Sequence, residues 1–486
     1  MTLPATLSRT LLLPLWLGCF GLVLAGCDGS GGTADPESFE VTVENVGAGS
    51  PLLKSGAFTP DDVINDNDNV PPLEPGEAFQ FSFTAGPNEL PESGMQLSFA
   101  SMFVQSNDVY YAFEPGGISL FDDGGTPIGK NQPADVTGRV HLFDAGTEVD
   151  QEPGTGADQA PRQDAFGDGR DEEGTVTRIE ENDSGALEDD GFTYPAVAEG
   201  IELTVGSREH EDGGYQFTVT IDNVSDETGA TVNDAPIVLS PGTYAVHWAQ
   251  TPSGDPVTYP GHAPGDEAGA GVERIAEDGR PAGADGVSGD HVATLRERTG
   301  VTVPLSPGAF AVHSDEAALF APGADASAGV ERVAEDGMPG ELRSMLDGTD
   351  GVRRAGTFGE APLPPGQSAS FTVDARPGDR LSLATMYVQS NDLFYALQPD
   401  GMALFDENGD PVGGDVTGQV MLYDAGTEGD QEPGVGLDQA PRQSATDTGP
   451  AGEGSVTRVE GSNDGFRYPA PRDIIRVTVS PPQSAQ

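Results

Sequence analysis

The sequence predicts an all-β protein made of two repeats in tandem. The 67 glycines and 40 prolines among 486 residues favour short strands joined by turns over long helices. Residues 39–46 (FEVTVENV) and 215–224 (YQFTVTIDNV) alternate apolar and polar side chains, as half-buried strands do. Residues 135–163 return as residues 415–443, identical at 23 of 29 positions without a gap. The chain is therefore expected to contain one strand-rich unit twice.

The ends of the two repeats set the predicted domain boundaries. Residues 39–46 and 215–224 share an Asn-Val ending and are interpreted as first strands, and residues 201–205 and 475–479 as last strands. The predicted order is an export signal (1–26), a flexible tether (27–38), a first domain (39–205), a charged linker (206–214) and a second domain (215–480) with an insertion at about 237–300.

The predicted second domain contains a doubled unit. Residues 238–279 hold LSPGTYAVHW and AGVERIAEDG, and residues 305–337 hold LSPGAFAVHS and AGVERVAEDG. Each copy predicts a strand that ends in His, a loop, and a short helix stopped by the Gly after Glu-Asp. Residues 50–58 are interpreted as a shortened remnant of this unit in the first domain. His247 and His313 occupy matching places and are expected to close strand ends by hydrogen bonding.

The N-terminus predicts export and a lipid anchor. Arg9 precedes an apolar run at residues 11–24, which is short for a membrane span and is interrupted by Pro14. Leu-Ala-Gly-Cys at residues 24–27 resembles the bacterial lipobox, in which the Cys is diacylated and becomes the first mature residue. Cys19 would be removed, so Cys27 would have no disulfide partner within the chain. The alternative is an ordinary signal peptide with a chance Cys.

The charge balance limits the possible partners. The chain has 80 Asp and Glu against 23 Lys and Arg, a formal net charge of −57, which repels nucleic acid and attracts cations. Lys54 and Lys130 are its sole lysines, and this acid excess suggests a high-salt habitat in which ions screen the self-repulsion. Such a habitat accounts for most of the acidic residues, so only acids at special spacings are candidate metal ligands.

Three carboxylates lie near predicted strand ends in each repeat. They are Asp108, Asp144 and Glu148 in the first repeat, and Asp392, Asp424 and Glu428 in the second. Asp144 and Glu148 flank a tight Ala-Gly-Thr turn, which can bring their side chains together. Asp108 follows a strand that could lie beside the Asp144 strand, and the second repeat has the same arrangement. Converging carboxylates repel unless a cation neutralises them, and oxygen ligands select a hard ion such as calcium. The alternative, that these acids cap turns on an acidic surface, stays open at this point.

The same motifs resemble the spondin N-terminal domain. The resemblance rests on Ser-Asn-Asp after a Met-containing strand, the Asp-Ala-Gly-Thr-Glu turn, and the Pro-Gly…His…Ala-Glu-Asp-Gly unit. It implies two C2-like antiparallel β-sandwich domains in tandem, with short helices in the second-domain insertion. It also implies one Ca²⁺ per domain, with Asp108, Asp144 and Glu148, and Asp392, Asp424 and Glu428, as the metal ligands.

The function expected from these observations is extracellular binding rather than catalysis. The protein would be lipid-anchored to the cell envelope, at its periplasmic face or the cell surface, and would contact an unidentified extracellular protein or glycan. The sequence holds no His-Glu-x-x-His, Gly-x-Ser-x-Gly or phosphate-binding loop. Two alternatives remain: a secreted hydrolase that uses the clustered carboxylates, and a structural envelope protein without a discrete ligand.

Overall fold

The structure, a computed structural model, describes residues 35–47, 49–59, 72–86, 94–210, 214–251, 255–282, 290–460 and 466–482. The predicted export signal and Cys27 lie outside the described residues, as does the tether up to residue 34. From Pro36 onward the described residues belong to one compact unit. Within that part of the chain, no helix is both long and apolar enough to cross a membrane.

The predicted all-β fold is confirmed, since strands predominate and pair in several antiparallel sheets. In chain order the strands are β1 (Glu37–Asn45), β2 (Leu52–Phe58), β3 (Ala78–Ala85), β4 (Met95–Phe103), β5 (Val109–Phe113), β6 (Ile118–Ser119), β7 (Ala134–Asp135), β8 (Val140–Asp144), β9 (Thr177–Arg178), β10 (Glu180–Glu181), β11 (Leu187–Asp189), β12 (Phe192–Tyr194), β13 (Ile201–Glu209) and β14 (Tyr215–Asn223). They continue with β15 (Thr231–Val232), β16 (Ala235–Pro236), β17 (Leu239–Trp248), β18 (Leu305–His313), β19 (Val352–Phe358), β20 (Ser368–Ala375), β21 (Arg380–Tyr387), β22 (Leu393–Leu397), β23 (Met402–Ala403), β24 (Gly414–Asp415), β25 (Val420–Asp424), β26 (Thr457–Arg458) and β27 (Ile475–Ser480). The helices are α1 (Val197–Gly200), α2 (Ser225–Thr228), α3 (Ala270–Asp278), α4 (His291–Glu297), α5 (Ala328–Asp336), α6 (Gly340–Leu346) and α7 (Pro471–Ile474).

The N-terminal sandwich is formed by two antiparallel sheets. One has the strand order β2-β17-β4-β5-β8-β9, and the other β3-β14-β13-β7. Alternate side chains of β3 and β14 point to the shared core, which is rich in aromatic rings such as Phe58, Phe79, Phe99 and Phe217. Each of these rings is at most 2% exposed, and burying one stabilises the fold by about 1.5–3 kcal/mol.

The C-terminal sandwich repeats this architecture. Its sheets have the orders β19-β18-β21-β22-β25-β26 and β20-β1-β27-β24. Phe39, Val41, Leu383 and Val477 are fully buried between them. In both sandwiches a helix pair covers the outer face of the larger sheet, α3 and α4 in the first and α5 and α6 in the second.

Strand β1 belongs to the C-terminal sandwich, which corrects the predicted domain boundaries. It lies between β20 and β27, with Val41 opposite both Phe371 and Val479. Strand β14 takes the corresponding place between β3 and β13. The N-terminal sandwich is therefore inserted between the first two strands of the C-terminal sandwich, β1 and β18. Both first strands have the same alternation, so their sequences do not distinguish the sheet that each one joins.

The predicted linker and insertion are also wrong. Residues 206–209 extend β13, which pairs with β14 along its whole length, so residues 206–214 join two strands of one sheet. The unit at residues 238–279 supplies β17 and α3 of the N-terminal sandwich, and is not inserted into the second domain. Strand β2 corresponds to β19 in position and is not a remnant of that unit. The predicted tether ends early, because β1 begins at Glu37.

A buried Asn ends both β1 and β14, and its side chain is hydrogen-bonded to the backbone just before the next strand of the same sandwich, which is β18 after β1 and β17 after β14. The Asn45 amide donates to the carbonyl oxygens of Val303 and Leu363, at 2.8 and 2.7 Å. The Asn223 amide donates to those of Ile237 and Leu73, at 3.0 and 3.1 Å. Asn45 makes its bond to Val303 across 258 positions of sequence. The same local connection is thus preserved in the C-terminal sandwich although a whole domain interrupts it.

The two sandwiches contact each other through a loop of the second repeat. Val435 is fully buried and packs into the hydrophobic core of the N-terminal sandwich. Lys54 of β2 forms an ion pair with Glu432. The corresponding loop of the first repeat contacts its own sandwich instead, where the Asn233 amide donates to the Pro153 carbonyl oxygen at 2.8 Å.

Because β1 belongs to the C-terminal sandwich, a substitution in β1 is expected to destabilise that sandwich. Val41→Asp places a charge between β20 and β27 and is expected to reduce the free energy of unfolding of the C-terminal sandwich by about 3 kcal/mol or more. Hydrogen exchange should accelerate at the amides of β20 and β27. The matched variant Val219→Asp in β14 should instead accelerate exchange in β3 and β13. Faster exchange in β13 from Val41→Asp, with β27 unchanged, would contradict the strand assignment.

Candidate metal centre

Two strand ends bring the first pair of acids together in each sandwich. Asp108 immediately precedes β5, and Asp144 ends β8. These strands are antiparallel neighbours, with Val109 directly opposite Asp144. In the C-terminal sandwich Leu393 is likewise opposite Asp424, so Asp392 and Asp424 lie at the same end of the sheet.

The Ser-Asn segment before Asp108 shapes the turn that positions it. The Ser106 hydroxyl donates to the Phe103 carbonyl oxygen at 2.7 Å and accepts from the Val109 amide at 3.0 Å. The Asn107 side chain donates to the Val149 carbonyl oxygen at 3.1 Å, which connects this turn to the loop after β8. Ser390 and Asn391 make the equivalent contacts in the second repeat.

The Asp108 carboxylate is held by one oxygen and leaves the other unsatisfied. Its Oδ2 accepts from the backbone amides of Thr147 and Glu148, both at 3.0 Å. The residue is 0% exposed, and its Oδ1 has no hydrogen-bond partner. Asp392 repeats this arrangement, with Oδ2 accepting at 3.0 and 3.1 Å and Oδ1 without a partner. A buried charged oxygen without a partner costs free energy, so each position has a place for a further positive group.

A third aspartate completes each cluster. Carboxylate oxygens of Asp108, Asp144 and Asp150 lie within 4.8 Å of one another, and so do those of Asp392, Asp424 and Asp430. Within the first cluster the Asp144 Oδ1 also accepts from the Gly146 amide at 2.8 Å. Three acidic oxygens at this separation match the coordination sphere of a hard cation, with backbone carbonyls or water supplying further ligands.

The electrostatics of the clusters favour a bound cation. Burial raises the pKa of Asp144 to about 8, and the neighbouring Asp108 charge adds to the increase. Burial also raises the pKa of Asp108 and of Asp150 to about 7. The pKa of Asp392 is raised in the same direction, by burial and by the charge of Asp424. Ionised, these carboxylates would repel one another, so they retain protons to a higher pH than usual. A bound positive charge can take the place of the protons.

Glu148 and Glu428 are not brought into these clusters, which corrects the predicted ligand set. The Glu148 Oε1 accepts from the Gly169 amide at 3.1 Å, and the Glu428 Oε1 from the Gly449 amide at 2.9 Å. A Cβ at Gly169 would lie 2.0 Å from the Glu148 carboxyl carbon, so the position of this carboxylate depends on the absence of a side chain there. Glu148 contributes its backbone amide to Asp108 rather than its side chain. The two predicted aspartates of each sandwich are therefore brought together, and the predicted glutamate of each sandwich lies outside the cluster.

Asp150 and Asp430 were missed by the sequence reasoning, although a signal was present. The residue before them changes from Val149 to Gly429 between the repeats, while the aspartate itself is retained. They lie six residues after Asp144 and Asp424, beyond the tight turn, so turn geometry alone did not place them in the clusters. A search for acids that both repeats retain would have found them.

The two strand-end histidines have the structural role that was predicted for them. The His247 Nδ1 lies 2.9 Å from the Trp248 carbonyl oxygen and its Nε2 lies 2.9 Å from the Ser98 hydroxyl. The His313 ring contacts Ser314 and Ser382 in the same way, at 2.7 and 2.8 Å. Burial lowers the pKa of both rings. Each neutral ring therefore donates to its carbonyl and accepts from its serine.

A scan against known protein families finds no matching family for this chain, and a search of curated proteins finds no similar sequence.

The raised pKa values predict how the stability of the metal-free protein depends on pH. Acids whose pKa is higher in the folded than in the unfolded protein stabilise the fold at low pH, and this contribution is lost as the pH rises through the folded pKa. In chelator, the melting temperature should therefore fall between pH 5 and pH 9, since Asp108 and Asp150 have a pKa of about 7 and Asp144 of about 8. Thermal unfolding followed by circular dichroism measures this dependence.

The control is the double variant Asp108→Asn, Asp392→Asn, which removes one titrating acid from each cluster. It should show a shallower fall in melting temperature over the same pH range. A melting temperature that is equally pH-dependent in the variant and the unchanged protein would show that the clusters do not titrate as described.

Proposed function

We propose that this protein is a cell-envelope lipoprotein whose two β-sandwich domains each bind one calcium ion and serve extracellular binding or adhesion rather than catalysis. The metal ligands would be Asp108, Asp144 and Asp150 in one domain, and Asp392, Asp424 and Asp430 in the other. The observation that carries the calcium proposal is the buried, unpartnered Oδ1 of Asp108 and of Asp392 within a cluster of three carboxylates.

A bound cation would remove the electrostatic cost of each cluster. Buried carboxylates of like charge destabilise a fold unless they are protonated or neutralised by a positive group. The backbone amides of Thr147 and Glu148 satisfy one oxygen of Asp108, and this leaves the second oxygen to a metal. The same division of roles at Asp392 makes a chance arrangement of surface acids a poor explanation.

Calcium suits the ligands better than other common metals. Three aspartates provide oxygen donors alone, whereas zinc sites in proteins use mostly histidine and cysteine. Calcium accepts 6–8 oxygens in variable geometry, which fits a site built from a strand end, a turn and a loop. The resemblance to spondin N-terminal domains favours the same ion, with Asp150 and Asp430 in place of the expected glutamates.

Bound calcium would connect three segments at one end of each sandwich. In the first domain these are the start of β5, the end of β8 and the loop that contains Asp150. Ordering such loops on a rigid sheet is a common way to present a binding surface for another molecule. An acidic, exported protein with two such ends is suited to adhesion, and its partner would be an extracellular protein or glycan.

Removal of calcium is expected to destabilise the protein. A ligand that binds the folded state alone stabilises it by RT ln(1 + [L]/Kd), about 2.7 kcal/mol per site at a hundredfold excess over Kd. Chelator should therefore lower the melting temperature at constant ionic strength, and the double variant Asp144→Asn, Asp424→Asn should abolish this effect. Differential scanning calorimetry with and without calcium measures it.

The control pair Asp123→Asn, Glu407→Gln removes the same charge from exposed hairpin positions. It should retain the response to chelator. A purified protein that contains no calcium and melts at the same temperature with and without chelator would refute the calcium proposal.

The proposed lipid anchor is tested independently of the metal. Cys27→Ser removes the thiol to which the lipid would be attached, so the variant should move from the detergent phase to the aqueous phase in a phase-partition experiment. Cys19→Ser, within the predicted export signal, should leave the partition of the mature protein unchanged. Equal partition of wild type and Cys27→Ser would exclude this anchor.

A further inference from the structure

A second group of carboxylates lies in the C-terminal sandwich, apart from the aspartate cluster. Glu331 and Glu335 are one turn apart on α5, so both project from the same face of the helix. Asp447 approaches them from the loop after β25. Carboxylate oxygens of these three residues lie within 4.8 Å of one another. Three like charges at this separation would destabilise both the helix and the loop unless a positive group lay between them.

The most buried member of this group has an unsatisfied oxygen. Glu335 is 2% exposed, and its Oε2 has no hydrogen-bond partner. Glu428 is 6% exposed, its Oε2 is also without a partner, and repulsion by Glu335 contributes to its raised pKa. In the ranges that the structure describes, no Lys, Arg or His forms an ion pair with Glu331, Glu335 or Asp447. Among the described residues, therefore, no ion pair compensates the charge of this group.

Asp447 has the same backbone conformation as the residue at the corresponding position of the N-terminal sandwich. Asp447 has a φ of +58°, in the left-handed region that side-chain-bearing residues rarely occupy. The N-terminal sandwich has Gly167 at the corresponding position, with a φ of +60°. The two loops share this conformation, and the second repeat places an aspartate where glycine is the easier residue.

The N-terminal sandwich has the helix acids of the group but lacks the third acid. Glu273 and Glu277 on α3 correspond to Glu331 and Glu335, and Glu148 corresponds to Glu428. Gly167 offers no side chain. A Cβ built there would lie 3.8 Å from the Glu277 Oε2, so an acid at this position would point toward the helix acids.

We propose that Glu331, Glu335 and Asp447 form a further site for a hard divalent cation, which the C-terminal sandwich has and the N-terminal sandwich lacks. Glu428 lies beside it and can supply an additional oxygen. The bound ion would join α5 to the loops after β25. This site shares no residue with the aspartate clusters, so it does not depend on them.

Calcium content at saturation tests the proposal on the full-length protein. After equilibrium dialysis against calcium chloride, atomic emission should find one ion fewer per chain in Asp447→Gly than in wild type. Glycine suits the left-handed backbone, so this variant is expected to fold. The reciprocal variant Gly167→Asp should bind one ion more than wild type, because it gives the N-terminal sandwich its missing acid.

Asp234→Gly is the matched control. Asp234 is an exposed aspartate with a φ of +64° in the turn between β15 and β16, and its replacement should leave the calcium content unchanged. Equal calcium content in wild type and Asp447→Gly overturns the proposal, and so does an equal loss in Asp234→Gly.

The decrease should persist when Asp447→Gly is added to Asp108→Asn, Asp392→Asn. This comparison separates the further site from the aspartate clusters, because each can then fail while the other holds. A decrease that disappears in this background would overturn the independence of the further site.

Discussion

The pairing of β1 between β20 and β27 is the constraint on which the architecture depends. Without β1 the smaller sheet of the C-terminal sandwich would have two unpaired edges in its middle, and the core around Val41 would be open. Because β1 is the first strand in the described chain and its sheet partners β20 and β27 both follow the N-terminal sandwich in sequence, that whole sandwich has to fit between them. The buried Asn45 amide fixes this return by holding the two ends of the inserted domain close together.

Within each sandwich, the candidate metal centre follows from the pairing of two strands. The β5–β8 ladder places Asp108 beside Asp144, and the Ser-Asn turn orients the Asp108 carboxylate so that the amides of the next loop satisfy one of its oxygens. Those hydrogen bonds offset part of the cost of burying the charge, and the second oxygen of Asp108 is left without a hydrogen-bond partner. The second repeat preserves each of these contacts, so the arrangement is built into the repeat and does not depend on the acidic surface.

The sequence predicted the parts of this structure that local patterns specify. Alternation and turn residues predicted the strands, the Ser-Asn-Asp segments and the repeated turn together predicted four of the six clustered aspartates, and the strand-end histidines make the predicted bonds. The sequence did not predict that β1 joins the C-terminal sandwich and β14 the N-terminal one, because both strands have the same apolar–polar alternation. Which of the two similar sheets each strand joins is decided by contacts between residues far apart in sequence. Glu148 was misassigned because spacing in a tight turn shows which acids are near, whereas the direction of a side chain depends on a partner such as Gly169, 21 residues later.

The position of β1 also determines how the molecule would carry mechanical load. A chain tethered to a membrane at its N-terminus would transmit tension directly into β1, which is hydrogen-bonded along its length to a strand on each side. Pulling along such a strand loads two ladders in shear, so their bonds resist together instead of opening one at a time. When the load leaves the molecule through the C-terminal sandwich, the inserted sandwich would stay outside this direct path, because the tension passes from β1 into its two neighbouring strands.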